Sequence, residues 1–132
     1  MKKTTRAWVG KAEEDRILAE QGRRSKLPVH DGVCFHCQQC AEKYRKALME
    51  ELGLAVPKTH ALVLLLTALA PHYPSLRPLR RGLLFLTAFA VNARYPGSTA
   101  TKRQAVAAVR WAERVRGEAR RLLGIRERPR TK

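Results

Sequence analysis

Three cysteines, Cys34, Cys37 and Cys40, fall within seven residues around His36. Thiolates and imidazole are the preferred ligands of zinc and iron–sulfur clusters, so this run is the first candidate for chemistry. The spacing works against a shared ion. On a helix, each residue turns by about 100°, which carries positions 34, 37 and 40 around the axis instead of towards one point. Cys34 and Cys37 also fall in an apolar stripe, where a cysteine behaves as a small hydrophobe. The expectation is packing, with no metal and no cofactor. An odd number of closely spaced cysteines is also a poor disulfide framework and fits a reducing compartment.

A second constellation is polar. Gln39, Glu42, Lys43 and Lys46 recur at i, i+3, i+4 and i+7, a strip beside the apolar one. Taken alone it reads as a solvated face, with a Glu42–Lys46 pair contributing about 0.2–0.5 kcal/mol. Asp15 complicates that reading. It lies three residues after Ala12 and four before Ala19, on the side of its helix expected to be buried. A buried carboxylate needs a partner, and Lys43 or Lys46 from the neighbouring helix can supply one. Asp15, Gln39 and Glu42 are therefore read as a structural polar network. His60 follows Thr59, an expected N-cap, where the helix dipole disfavours the protonated imidazole. A neutral ring there can act as a base or simply pack. His30, His36 and His72 stand near no carboxylate or nucleophile pattern in the sequence, and there is no Gly-rich phosphate loop, Walker motif or His-Glu-x-x-His pair. No self-sufficient catalytic set of a common enzyme type is visible.

The elements that must position these groups are helices. Apolar residues recur at helical spacing, and Gly, Pro and capping residues cut the chain into five segments. The first helix is expected from about Thr5 to Gln21, with Trp8, Ala12 and Ala19 on one face and Gly22 as its stop. Asp31 is expected to cap the second, whose Cys34, Cys37, Ala41, Tyr44, Leu48 and Leu52 repeat at steps of three and four until Gly53. The third runs from His60 to Ala70, and Pro71, Pro74 and Pro78 break the chain after it. The fourth covers roughly Leu79 to Ala93, apolar on most sides from Leu83 to Val91. Pro96 forces a loop before the fifth, where Thr101 and Gln104 form a capping-box pattern. Ala105, Ala108, Ala112, Val115, Ala119 and Leu122 then make a narrow seam suited to close packing. The fold class is all-α: an antiparallel up-and-down bundle of four main helices and one short one, over residues 1–125, with a basic tail over 126–132.

Length and charge agree with one such domain. At 132 residues, a division into two cores would leave each barely able to offset its chain entropy. The longest apolar runs, Ala61–Ala70 and Leu83–Val91, are about half the roughly 20 residues of a membrane span. Glu13, Glu14 and Asp15 stand where a signal peptide would need its apolar segment, so a cytoplasmic location is expected. The net charge is +16, and from Thr101 onward 11 basic residues face three acidic ones. Such a field draws polyanions or an acidic partner, although basic solvated faces in an Arg-rich proteome give the same count.

Four stretches, in order, carry a resemblance. They are Trp8 with Ala12-Glu13-Glu14-Asp15; Phe35-His36-Cys37-Gln38-Gln39-Cys40-Ala41-Glu42-Lys43-Tyr44-Arg45-Lys46-Ala47-Leu48; Lys58-Thr59-His60-Ala61-Leu62; and Ala93-Arg94-Tyr95-Pro96. Together they resemble the HEPN domain family (higher eukaryotes and prokaryotes nucleotide-binding) from about Arg6 to Leu122. The resemblance implies a small helical bundle that homodimerises. It also implies a minimal nucleotidyltransferase as partner, in pairs that can act as toxin and antitoxin with the HEPN chain as a metal-independent ribonuclease. Catalytic members carry an Arg followed, after four to six intervening residues, by a His. Arg94 matches the Arg, but no histidine occurs after His72. Cutting RNA without metal needs a general base near the 2′-hydroxyl and an acid for the leaving oxygen, roles that Arg94 and Tyr95 fill poorly.

Three readings follow. The first is a HEPN module that dimerises, partners a nucleotidyltransferase and binds nucleotide or RNA, with Arg94, Tyr95, Lys43, Lys46 and His60 as ligand-facing residues. The second is a ribonuclease acting through Arg94, with Tyr95, at a dimer cleft. The third is a purely structural helical interaction protein.

Overall fold

The computed structural model describes residues 1–58, 62–91 and 95–126. Among the described residues five α-helices follow one another: α1 (Lys3–Arg24), α2 (His30–Glu51), α3 (Leu62–Leu69), α4 (Arg80–Thr87) and α5 (Lys102–Leu122). Two 3-10 segments, Pro74–Leu79 and Ala88–Ala90, flank α4 and extend it at both ends. No strand occurs among the described residues.

α2 is the spine, because most of its residues from Val33 to Met49 are buried against neighbours on several sides. α1 runs antiparallel to it: Lys2 N–H and Thr5 Oγ1 both reach the Glu51 carboxylate, and Gly22 sits against Val33 at the other end. α5 runs parallel to α2, since Asp31 meets Ala100 near their starts and Tyr44 meets Arg120 near the end of α5. The Pro74–Ala90 stretch returns antiparallel to α5, with Ser75 on Glu118 and Gly82 on Trp111. α1, α2, this composite stave and α5 therefore run up, down, up and down, and α3 is the short extra helix.

The helix ends follow local chemistry. At the end of α2, Gly53 adopts φ 73°, and the N–H groups of Gly53 and Leu54 donate back to Glu50 and Met49. At the end of α5, Gly124 (φ 72°) and Ile125 repeat the arrangement on Arg121 and Arg120. In both places a left-handed glycine satisfies carbonyls the helix leaves open. Thr101 and Gln104 make both bonds of the capping box at the start of α5.

Several sequence expectations need correction. Gly22 does not stop α1, which continues to Arg24; its missing Cβ would stand 2.9 Å from Val33 and 3.2 Å from Val29, so this glycine serves the α1–α2 approach. Asp31 does not cap α2. It lies in the first turn, and its Oδ1 accepts from Ala100 N–H at 2.7 Å, pinning the approach to α5. Pro74 and Pro78 do not open the chain into a loop, because the tighter 3-10 turn accommodates both. The fourth α-helix ends at Thr87 rather than near Ala93 and passes into a 3-10 turn; Thr87 Oγ1 accepts from Leu62 N–H and donates back to the Leu83 carbonyl. The expected Thr59 cap and the start of the third helix at His60 lie outside the described residues. So do Ala93, Arg94 and most of the 126–132 tail.

Candidate functional site

The α1–α2 interface gathers most of the polar residues singled out above. Asp15 on α1 is 5% exposed; its Oδ2 lies 2.5 Å from Lys43 Nζ, and its Oδ1 lies 2.8 Å from His36 Nδ1. The Asp15 requirement for a lysine partner is thus met by Lys43. His36, which has no carboxylate near it in sequence, acquires one through the fold. If Nδ1 carries the proton towards Asp15, Nε2 is left as the acceptor, which fixes the ring's orientation and tautomer.

One turn along, Gln39 donates to Gln38 at 2.7 Å, Gln38 donates to Glu42 Oε1 at 3.1 Å, and Lys46 donates to Glu42 Oε2 at 3.0 Å. Lys46 also lies 5.4 Å from the centre of the Trp8 ring. The strip is not a solvated face: Gln39, Glu42 and Lys46 are buried, and only Lys43 is partly open. Both lysines are held by carboxylates, so any ligand would have to compete with Asp15 or Glu42 for them. Tyr95 stands apart, 62% exposed. Arg94 and His60 lie outside the described residues.

Two features escaped the sequence reading. Arg45 is fully buried, and none of its guanidinium nitrogens has a hydrogen-bond partner among the described residues. Burial alone pushes its pKa down to about 10. The signal was available: Arg45 is four residues after Ala41 and three before Leu48, inside the apolar period. The second is an ionic knot across three helices. Glu13 accepts from Tyr44 Oη at 2.6 Å and from Arg116 Nε and Nη2, each at 2.9 Å, while Arg120 reaches Tyr44 Oη at 3.2 Å. Burial by itself would raise the Glu13 carboxyl, but the bonds from Arg116 and Tyr44 and the charges of Arg116 and Arg120 hold it below its ordinary value. No sequence spacing links residues this far apart.

The cysteines pack. All three are free and buried, and burial pushes each thiol up, Cys34 to about 11. Among the described residues, no three His, Cys, Asp or Glu side chains converge as metal ligands. Likewise, no described helix is long and apolar enough to cross a membrane.

The segment leading into α5 forms one wall of a cleft of about 310 Å³, lined by Leu84, Phe85 and Phe89 from the α4 stave and by Asp31, Ala100 and Gln104. A polar α1–α2 interface centred on Asp15 and an aromatic cleft between the α4 stave and the start of α5 are thus the two features of the described residues suited to binding. The HEPN domain model matches residues 5–122. The chain belongs to the HEPN domain family. The crystal structure of an archaeal HEPN homologue superposes with a TM-score of 0.74 at 25% identity, covering 93% of this chain and 99% of that one. No curated protein sequence matches. Membership makes this HEPN domain a nucleotide- or RNA-related module on an all-helical bundle.

Proposed function

We propose that this HEPN domain is a homodimeric binding module that partners a minimal nucleotidyltransferase, in a toxin–antitoxin-like pair, and engages nucleotide or RNA without cutting it. The observation that carries the reading is chemical. The chain has the family's arginine at Arg94 and no histidine anywhere after His72, so the imidazole expected to take or give a proton beside Arg94 is missing. Arg94 remains suited to bidentate phosphate contact and Tyr95 to stacking on a base or ribose.

Dimerisation draws support from the α4 stave. Leu84 (52% exposed), at the aromatic cleft, leaves apolar surface open, as do Val91 (55%) and Tyr95 (62%) further along the chain, and a two-fold contact would cover such surface. The test has two parts. Light scattering should give a mass of about 30 kDa, twice the 15.0 kDa chain. Tagged protein purified from its native cell should retain a nucleotidyltransferase in stoichiometric amount, identified by mass spectrometry. A clean monomer, or a preparation with no nucleotidyltransferase, would contradict the reading.

A further inference from the structure

The charge of this domain is segregated in three dimensions. Between Leu52 and Ala112 the chain contains no Asp or Glu. That stretch builds α3, the whole α4 stave and the first half of α5, whereas the carboxylates Glu13, Glu14, Asp15, Glu20 and Glu42 all lie on α1 and α2. The two helices at the outer edge of the cationic half meet unusually closely. A Cβ on Gly82 of α4 would stand 2.0 Å from Trp111 Cε3 of α5, so only glycine lets the two surfaces come together there.

Arginines flank that contact in the sequence of both helices. Arg77, Arg80 and Arg81 are exposed on the α4 stave just before Gly82, and Arg114 is exposed on α5 beside Trp111, whereas Arg110 lines a separate groove with Glu20 and Arg23 of α1. Arg114 lies with its guanidinium carbon 4.7 Å from the centre of the Trp111 ring. Stacking on an indole holds the guanidinium plane while leaving its N–H edge for an outside acceptor. None of these arginines forms an ion pair with a described carboxylate. The nearest acids on α5 are engaged elsewhere, Glu113 with Arg16 at 3.4 Å and Glu118 with Arg121 and Ser75. Exposed arginines on two adjoining helices, without an ion pair to a described carboxylate, offer N–H donors to a phosphate backbone.

We infer that the α4–α5 seam, centred on Trp111 and Arg114, is a binding track for the phosphodiester backbone of single-stranded RNA. The inference rests on the nucleotide- or RNA-binding reading above and deepens it. The track reads backbone, so its affinity should be insensitive to sequence and steeply dependent on salt.

The test measures binding of a labelled single-stranded RNA by fluorescence anisotropy across a salt series. It uses the wild type, the seam variant Arg81→Glu/Arg114→Glu and a control variant Arg6→Glu/Lys26→Glu. The control makes the same change in net charge on the exposed α1 side. The seam variant should lose affinity by about tenfold or more and flatten the slope of log K against log salt by about 1.4, two phosphates' worth, while the control stays near wild type. Equal losses in both variants would assign the binding to net charge and overturn the track. So would a seam variant that binds like the wild type, in which case the module's RNA binding stands and only its location is wrong. A wild type that binds no RNA at low salt overturns both the track and the RNA part of the proposed function. Circular dichroism of each variant, expected to match the wild type at these exposed positions, separates lost binding from lost fold. Should Arg114→Glu unfold the chain, Arg77→Glu/Arg81→Glu tests the same seam.

Discussion

Asp15 on α1 and Lys43 on α2 face each other at 2.5 Å, and the other Asp15 oxygen takes His36, so one buried carboxylate fixes two side chains of the neighbouring helix. Its removal leaves an ammonium without its counter-charge and an imidazole without its acceptor. Asp15→Ala should therefore lower stability by about 1–3 kcal/mol, read as a shift in the urea midpoint at constant m. If the network is structural, RNA or nucleotide affinity should change little in the variant that remains folded. An unchanged midpoint would mean that water serves Lys43 and His36 as well as Asp15 does.

Glycines separate close approach from mere occupancy. Gly82→Ala places a methyl against the Trp111 ring and should cost about 1–3 kcal/mol or more, with a changed Trp emission as the seam is forced apart. Gly10 sits inside α1 with nothing within 4 Å of its would-be Cβ. Gly10→Ala should be stabilising, by up to about 1 kcal/mol, because alanine restricts the unfolded chain and favours the helix. Thermal melts of the two variants should move in opposite directions.

Acid sensitivity follows from Glu13. Its folded carboxyl titrates below its ordinary value, so the stabilisation it brings is complete above the unfolded pKa of about 4.3 and is lost as the pH falls through the folded pKa. Wild-type stability should decline from about pH 5 downward. Glu13→Gln should start about 1–3 kcal/mol lower at neutral pH and show a shallower acid decline, since the Arg116 and Tyr44 bonds no longer depend on that proton. Parallel acid curves for the two proteins would exclude Glu13 as a source of the slope.

Much of the fold was legible because helix signals are local. The capping box at Thr101, the stop at Gly53 and the Ala105-to-Ala119 seam of α5 each rest on residues within a few turns of one another. Misreadings arose where a residue serves something distant. Gly22 looks like a stop but exists for Val33, and Asp31 looks like a cap but holds Ala100. The Pro74–Ala90 stave was divided wrongly because proline ends α-helices yet fits a 3-10 turn. At the α1–α2 interface, the need of Asp15 for a lysine was readable from periodicity. The His36 contact and the Glu13 knot with Tyr44 and Arg116 were not, since they depend on how three helices are rotated against one another.

Arg94 separates function from framework. Arg94→Ala should weaken nucleotide or short-RNA binding by about tenfold, the loss of a charge-assisted bidentate contact, while the melting temperature moves little. A large fall in melting temperature with unchanged binding would make Arg94 a bundle residue instead.

The account rests most heavily on binding without cleavage, and one measurement addresses it directly. End-labelled single-stranded RNA is incubated with excess purified protein in EDTA at neutral pH, then split between a native gel and a denaturing gel. The account predicts a retarded complex on the native gel and full-length RNA on the denaturing gel after hours. Metal-independent fragments that accumulate with wild-type protein and vanish with Arg94→Ala would contradict it, and would show that this chain cuts RNA with no histidine after His72.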